Sequence, residues 1–233
     1  MAELATSDDL APARVHRTWI RGKWVLLAML GIIAIAIGVL AFAYATREKD
    51  PKLPDLGSVP AFSLIDQEGL PFTEEALRGH PTVINFVFTR CDTICPVIAM
   101  KTQRLQDKTQ DRKGAGIKIL TISVDPEYDT PAKLTEFGSR YSANPARWRF
   151  LTGPKDQITS LITGPLMNTM DREGNLPSGG PNIVHSGYFL LVDANLVIRG
   201  VYDSNDIGKL DELERHARFL VRTGGDPFKF GGS

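Results

Sequence analysis

An uncharged apolar run near the N-terminus sets the first limit on how this 233-residue chain can fold. Residues 24–44, WVLLAMLGIIAIAIGVLAFAY, are 21 consecutive residues without Asp, Glu, Lys or Arg. A helix of this length covers the roughly 30 Å of a bilayer's hydrocarbon core. Trp24 and Tyr44 stand at its two ends, where aromatic side chains favour the membrane interface. The run therefore predicts a single transmembrane helix.

Basic residues flank this run unevenly. Arg14, Arg17, Arg21 and Lys23 precede it, whereas the flank after it mixes acidic and basic residues. The positive-inside tendency predicts a cytoplasmic segment at residues 1–23 and export of everything beyond the span. A cleaved signal peptide is the alternative, but its apolar core would be shorter, at roughly 7 to 15 residues. We expect an uncleaved anchor in a bacterial inner membrane, with the soluble part in the periplasm.

The charge balance limits the partners of the soluble part. With 27 basic and 27 acidic side chains, the net charge is zero, so no broad basic field exists to hold nucleic acid. The apolar fraction of 42% is sufficient for a buried core. Polar, proline-containing residues 45–58 predict a linker, residues 59–222 a globular domain, and residues 223–233 a flexible Gly-rich tail.

Hydrophobic periodicity within 59–222 predicts alternating strands and helices. The predicted elements are, in chain order, two short strands around a turn at 66–69, a strand at 82–89, a helix from about 97 to 113, a strand at 117–125, a helix at 129–141, a strand at 147–153, a helix at 154–163, a hairpin with its turn at 193–195, and a helix from about 205 to 222. This order describes a βαβ half joined to a ββα half. It predicts a thioredoxin-like α/β fold, in which helices flank a central mixed sheet.

The two cysteines of the chain are separated by three residues, in FVFTRCDTICP. Cys91 follows the predicted central strand, and Cys95 precedes Pro96, which is well suited to open a helix. The partial positive charge of a helix N-terminus favours the thiolate, which is both the nucleophile and the metal ligand. A structural disulfide, a redox pair and a pair of metal ligands all remain open on this spacing.

One histidine can reach the cysteines if the predicted topology is right. His185 directly precedes the first strand of the hairpin, and the loop before that strand faces the cysteine turn in a thioredoxin-like sheet. His16 lies before the membrane span, while His80 and His216 belong to a turn and to the last helix. A loop histidine bonded to backbone is the alternative role for His185.

The chemistry of these three side chains favours copper over zinc. Thiolates select Cu(I), and an added imidazole suits Cu(II), whereas structural zinc is normally held by four protein ligands. Met167 and Met170 are interpreted as local apolar contacts rather than ligands. Asp125, near the same sheet edge, could orient the site or cap the next turn.

Four motifs together resemble those of the SCO/SenC family of membrane-anchored, thioredoxin-fold copper proteins. They are FVFTRCDTICP, ISVDPEYDTPAKLTEF, WRFLTG and VHSGYFLLVD, in the family's order, within a resemblance that covers roughly residues 58–222. The resemblance implies that Cys91, Cys95 and His185 bind one copper ion, Cu(I) or Cu(II). It also implies that the protein helps to metallate the dinuclear copper centre of cytochrome c oxidase subunit II. Whether a periplasmic donor chaperone loads the site is left open.

The chain departs from the family pattern at two positions. Asp92 stands where the family usually has proline, and Val184 stands where it usually has aspartate before the histidine. The first change adds a negative charge beside the thiolates, and the second removes one beside the imidazole. Both leave the ligand set intact but bear on copper affinity and redox potential.

Two functional hypotheses from different classes follow. The first is a metallochaperone that transfers copper by ligand exchange and is not a turnover enzyme. The second is a periplasmic thiol-disulfide oxidoreductase, for which Cys91 and Cys95 would be essential and His185 dispensable. A structural disulfide is the third alternative, but so small a loop removes little unfolded-state entropy.

Overall fold

The structure, a computed structural model, describes residues 15–45, 50–110, 116–162 and 187–224. The chain divides into two compact units, Met1–Asp50 and Pro51–Ser233.

The first unit contains the predicted membrane span. Helix α1, Val15–Ala45, is continuous through it, and Lys23–Tyr44 is long and apolar enough to cross a membrane. All side chains from 23 to 44 are exposed, so the helix presents apolar groups on every side. Such a surface is unfavourable in water and is expected for a helix in contact with lipid.

The second unit is built on a seven-stranded mixed sheet. Its strands are β1 (Ser63–Asp66), β2 (Pro71–Thr73), β3 (Thr82–Val87), β4 (Lys118–Ser123), β5 (Trp148–Thr152), β6 (Tyr188–Val192) and β7 (Ile198–Asp203). Their order across the sheet is β2-β1-β5-β4-β3-β6-β7. Strands β3, β4 and β5 are parallel, while the other pairings are antiparallel.

Helices connect these strands and cover the sheet. Those within the described residues are a short 3₁₀ helix (Glu74–Leu77), α2 (Ile94–Lys108), α3 (Pro131–Arg140), α4 (Lys155–Leu161) and α5 (Ile207–Arg222). The predicted order of strands, helices and hairpin is confirmed, and with it the mixed sheet flanked by helices.

Strand β3 shows why the sheet is covered on both faces. All six of its residues are buried. Ile84 and Phe86 belong to one apolar cluster, whereas Val83 and Val87 belong to a second. Because successive strand residues point to opposite faces, the two clusters occupy the two sides of the sheet.

A buried polar network joins α2 to the sheet below the cysteine loop. Asn85 donates to the Thr102 hydroxyl (2.9 Å) and accepts a hydrogen bond from the Thr121 hydroxyl (2.8 Å). Trp148 Nε1 donates in turn to the Thr121 hydroxyl (2.8 Å). Every member of this network has a partner, so it fixes the position of α2 without leaving a buried polar group unsatisfied.

Part of the predicted linker contacts the domain. Leu56 N–H donates to the Ile198 carbonyl (3.0 Å), and Ile198 N–H donates to the Gly57 carbonyl (2.8 Å). These bonds satisfy backbone groups of β7, which is the edge strand on that side of the sheet. The stretch around residues 54–57 is thus paired with the domain, although its composition is that of a tether.

Helix α2 begins earlier than predicted. The apolar spacing predicts a start near Val97, but the helix starts at Ile94 and includes Cys95 and Pro96 in its first turn. Proline is tolerated there because N–H groups of the first turn have no intrahelical acceptor. Its last residue is Lys108; the predicted end, near 113, lies outside the described residues.

Candidate metal centre

The two cysteines lie where the central strand passes into a helix. Cys91 is in the loop between β3 and α2, and Cys95 is in the first turn of α2. This is the edge formed by the carboxyl ends of the parallel strands, where open α/β sheets place their sites. Cys91 is partly exposed, whereas Cys95 is only 1% exposed.

Local hydrogen bonds hold the Cys91 sulfur at the start of the helix. Cys95 N–H donates to Cys91 Sγ over 3.5 Å, and the Thr93 hydroxyl lies 3.5 Å from the same sulfur. Cys91 N–H donates to the Phe88 carbonyl (3.2 Å). Neither thiol is in a disulfide. Cys91 is therefore a partly exposed free thiol of the loop, and Cys95 is a buried free thiol in the first turn of α2.

The two thiols differ in acidity. Partial burial opposes ionisation of Cys91, but hydrogen bonds from Thr93 and Cys95 to the sulfur together outweigh it and lower its pKa to about 7. Burial raises the pKa of Cys95 to about 12, and the Cys91 sulfur and the Asp129 carboxylate add to the rise. Near neutral pH, Cys91 is partly ionised and is the more reactive cysteine, whereas Cys95 is a thiol.

Asp129 stabilises the start of the cysteine loop through hydrogen bonds. This fully buried carboxylate accepts hydrogen bonds from the Thr89 N–H (3.1 Å), the Thr89 hydroxyl (2.5 Å) and the Ser123 hydroxyl (2.5 Å). Thr89 is two residues before Cys91 and 40 residues from Asp129 in the chain. The cap of the following helix is the next residue, Thr130, whose side chain accepts a hydrogen bond from Lys133 N–H.

Asp125 contributes to the same edge in another way. Its carboxylate accepts a hydrogen bond from Arg90 Nε over 2.6 Å, next to Cys91. Its backbone carbonyl accepts from the N–H groups of Tyr128 and Asp129, which closes the turn before α3. The side chain of Asp125 thus pairs with the residue before Cys91, and its backbone closes the turn.

The predicted third ligand, His185, lies outside the described residues, as do Val184, Met167 and Met170. The structure describes the chain again from Gly187, two residues after His185. A Cβ on Gly187 would lie 3.1 Å from Ile98 Cδ1, so this backbone lies against α2 three residues beyond Cys95. Strand β6 runs antiparallel to β3, which puts its first residue at the edge that carries the cysteines.

Two other histidines lie elsewhere in the domain. His80 is exposed, in the turn before β3 and hence at the opposite sheet edge. His216 Nδ1 lies 2.7 Å from the Tyr202 hydroxyl. In the part of the chain that the structure describes, no group of three His, Cys, Asp or Glu side chains is arranged to hold a metal ion.

Gly187 offers a test of how closely the segment after His185 is packed. Its φ is +63°, and a Cβ there would also collide with the Ser204 hydroxyl. Gly69→Ala is a matched control, because Gly69 has a φ of +79° but open space around it. Both replacements carry left-handed strain of roughly 1 to 2 kcal/mol. We expect Gly187→Ala to lower the free energy of unfolding by about 1 to 3 kcal/mol more, measured by urea denaturation. Equal losses would contradict close packing at Gly187.

These observations define a class of protein: a thioredoxin-like domain with a CxxxC pair where the central strand passes into a helix, preceded by a helix that could cross a membrane. The SCO1/SenC family model matches residues 53–218, so the chain belongs to the SCO1/SenC family.

Known relatives agree with this assignment. The SCO1 protein homolog of Bacillus subtilis (strain 168) is 31% identical over 154 residues, which cover 66% of this chain and 78% of that protein. Among solved structures, copper-bound yeast Sco1 has 27% identity and a TM-score of 0.53, covering 71% of this chain and 94% of its own. BsSco, described as a member of the Sco family of cytochrome c oxidase assembly proteins with a disulfide switch, has 24% identity and a TM-score of 0.57, covering 74% and 99%. The predicted thioredoxin-like fold and family membership are confirmed.

Proposed function

We propose that this protein is a copper metallochaperone that binds one copper ion through Cys91, Cys95 and His185. We propose further that it delivers the ion to the dinuclear copper centre of cytochrome c oxidase subunit II. The observation that carries the proposal is the thiol pair itself: Cys95 N–H bonds to Cys91 Sγ at the sheet edge where the strand after His185 begins. Copper-bound yeast Sco1, a member of the same family, supports the choice of metal.

The unequal thiols suit an ion that must enter and leave. Cys91, with a pKa of about 7, supplies a thiolate near the surface at neutral pH. Cys95 must lose its proton when copper binds, because the thiolate is the ligand, so loading releases a proton. The charge of the ion then offsets the cost of a buried thiolate beside Asp129.

Transfer would proceed by exchange of thiolate ligands without a change in the oxidation state of copper. A thiolate of the acceptor forms a bond to copper as the bond to Cys91 breaks, since Cys91 is the more exposed of the two cysteines. The bonds to Cys95 and His185 then exchange for ligands of the acceptor, and Cys95 regains a proton. The proposed geometry requires the acceptor to approach the loop between β3 and α2.

The location of the domain is part of the proposal. We infer that α1 anchors the protein in a bacterial inner membrane, with residues 1–23 cytoplasmic and the domain in the periplasm. The apolar surface of Lys23–Tyr44 supports the anchor, and the four basic residues before Trp24 support this orientation.

Anaerobic copper titration of the full-length protein in detergent micelles tests the ligand set. We expect one Cu(I) per chain, with binding lost in Cys91→Ser and Cys95→Ser and weakened in His185→Ala. The same histidine change should remove Cu(II) binding detected by thiolate-to-copper absorption. His80→Ala is the matched control and should bind as the unchanged protein does, because His80 lies at the opposite edge. One-to-one binding retained by the three ligand variants would refute the proposal.

A second function, thiol-disulfide exchange, is favoured by one observation. A partly exposed thiol with a pKa near 7, paired with a buried thiol of high pKa, is suited to attack a disulfide and then to resolve the mixed disulfide. The same variants separate the two functions. The oxidoreductase is favoured if disulfide reduction requires Cys91 and Cys95 but is unchanged in His185→Ala. Copper binding should then also be unchanged in His185→Ala.

A further inference from the structure

A basic cavity lies at the sheet edge opposite the cysteines. It has a volume of about 230 Å³ and opens where β3, β4 and β5 begin. Four basic side chains line it: those of His80, Lys118, Arg147 and Arg149. The other lining residues are apolar apart from Thr82, and among the described residues no acidic side chain lines the cavity.

The strand register brings two of these cations together. Lys118 is the first residue of β4, and Leu120, two residues later, pairs with Arg149 of β5. Residues two apart in a strand share a face, as do directly paired residues of neighbouring strands. Lys118 and Arg149 therefore lie on one face of adjacent parallel strands. The Lys118 ammonium donates to the Ala146 carbonyl over 2.7 Å, which directs it across the strand ends.

Positive charges crowd each other at this edge. Burial lowers the pKa of Lys118, and the neighbouring guanidinium groups of Arg147 and Arg149 lower it further. Arg149 also pairs with Glu68 (2.6 Å) and Asp66 (3.3 Å), which offset its own charge from outside the cavity lining. Arg147 is held by the Thr109 hydroxyl and the Ile117 carbonyl.

The walls of the cavity intensify this potential. Phe72, Leu77, Ile119 and Leu120 supply apolar surface beside the cations. A cleft lined by charges of one sign with walls of low dielectric concentrates the field and attracts an ion of opposite charge. Guanidinium groups present paired donors that match the oxygen atoms of phosphate, and lysine adds a point charge.

We propose that this cavity binds a phosphate-class oxyanion, either free phosphate or the phosphomonoester group of a lipid, through Lys118, Arg149 and His80. The site is at the opposite edge of the sheet from the cysteines and does not depend on the copper proposal.

Calorimetric titration of the full-length protein with inorganic phosphate, in an uncharged detergent at low ionic strength, tests the site. We expect saturable one-to-one binding that Lys118→Gln weakens at least tenfold and that Lys118→Arg retains. Lys155→Gln is the matched control: this lysine is exposed and paired with Glu127, away from the cavity, and its loss should leave binding unchanged. Thermal unfolding of each variant, followed by circular dichroism, verifies that the domain remains folded.

Repeating the titration in nanodiscs distinguishes free phosphate from a lipid headgroup as the bound anion. Weaker phosphate binding in bilayers with phosphatidate than in phosphatidylcholine alone identifies a lipid headgroup as the occupant. Equal binding identifies a soluble phosphate, and both results support the site. The proposal is overturned if binding does not saturate, if Lys118→Gln binds as tightly as the unchanged protein, or if Lys155→Gln weakens binding as much as Lys118→Gln does. Each of these results indicates an adventitious ion only.

Discussion

Replacement of Asp129 by alanine is expected to lower the free energy of unfolding by about 3 to 5 kcal/mol. The buried carboxylate accepts hydrogen bonds from the Thr89 N–H and hydroxyl and from the Ser123 hydroxyl. Alanine would leave the buried Ser123 hydroxyl and the partly buried Thr89 donors without this acceptor, and bonds to charged groups are the stronger class. Urea unfolding of the full-length protein in detergent micelles, followed by circular dichroism, measures the loss.

Asp125→Ala is the control for this prediction. Asp125 lies four residues earlier in the same segment, but its side chain makes a surface ion pair with Arg90, which is 58% exposed. Such a pair typically contributes less than about 1 kcal/mol. If both replacements lower the free energy of unfolding equally, the hydrogen bonds of Asp129 do not stabilise the loop specifically.

Asp129→Asn separates charge from packing. The amide keeps the shape of the side chain and one acceptor oxygen, but it removes the negative charge that contributes to the raised pKa of Cys95. We expect a smaller loss of stability than with alanine, together with a lower pKa of Cys95. A role in packing alone would leave the Cys95 pKa unchanged.

The importance of Asp129 illustrates what the sequence could not predict. The segment DTP has the pattern of a helix start, and Thr130 and Pro131 do form one. The contact with Thr89 spans 40 residues and depends on the parallel pairing of β3 with β4, which sets Val87 beside Ser123. Local patterns carry capping signals, but a tertiary hydrogen bond has no local signature.

The fold was more accessible to prediction, for a physical reason. Strands buried on both faces must be almost continuously apolar, as Thr82–Val87 is, and the hairpin of β6 and β7 is marked by turn residues around Asp193. The helix start at Ile94 was less accessible because first-turn residues need not follow the apolar period of the helix. The sequence could locate both cysteines at one sheet edge, but their unequal burial follows from α2 beginning before Cys95.

This unequal burial predicts a large difference in thiol reactivity. At pH 7, a pKa of about 7 leaves roughly half of Cys91 as thiolate, whereas a pKa of about 12 leaves roughly one in 100,000 of Cys95. The greater intrinsic nucleophilicity of the less acidic thiol recovers part of this gap. We therefore expect iodoacetamide to alkylate the Cys95→Ser protein roughly 10² to 10³ times faster than the Cys91→Ser protein.

The pH dependence of alkylation identifies the cause of that difference. Because the pKa of Cys91 is lowered, its thiolate is present above about pH 7 and is lost as the pH falls through that value. The rate for the Cys95→Ser protein should rise to a plateau with a midpoint near pH 7, since that protein retains Cys91. The Cys91→Ser rate should still be rising at pH 9, because burial remains the main cause of the raised Cys95 pKa.

Thr93→Val provides the decisive control when it is combined with Cys95→Ser. Valine has nearly the shape of threonine but lacks the hydroxyl that lies 3.5 Å from Cys91 Sγ. Removing this hydrogen bond should move the midpoint of the Cys91 profile upward, whereas an unchanged midpoint would assign the low pKa to the remaining backbone N–H groups. A midpoint at or above pH 9 in the Cys95→Ser protein, which still has Thr93, would instead show that the loop does not stabilise the Cys91 thiolate. The proposal that Cys91 supplies a thiolate for copper at neutral pH would then lose its physical basis.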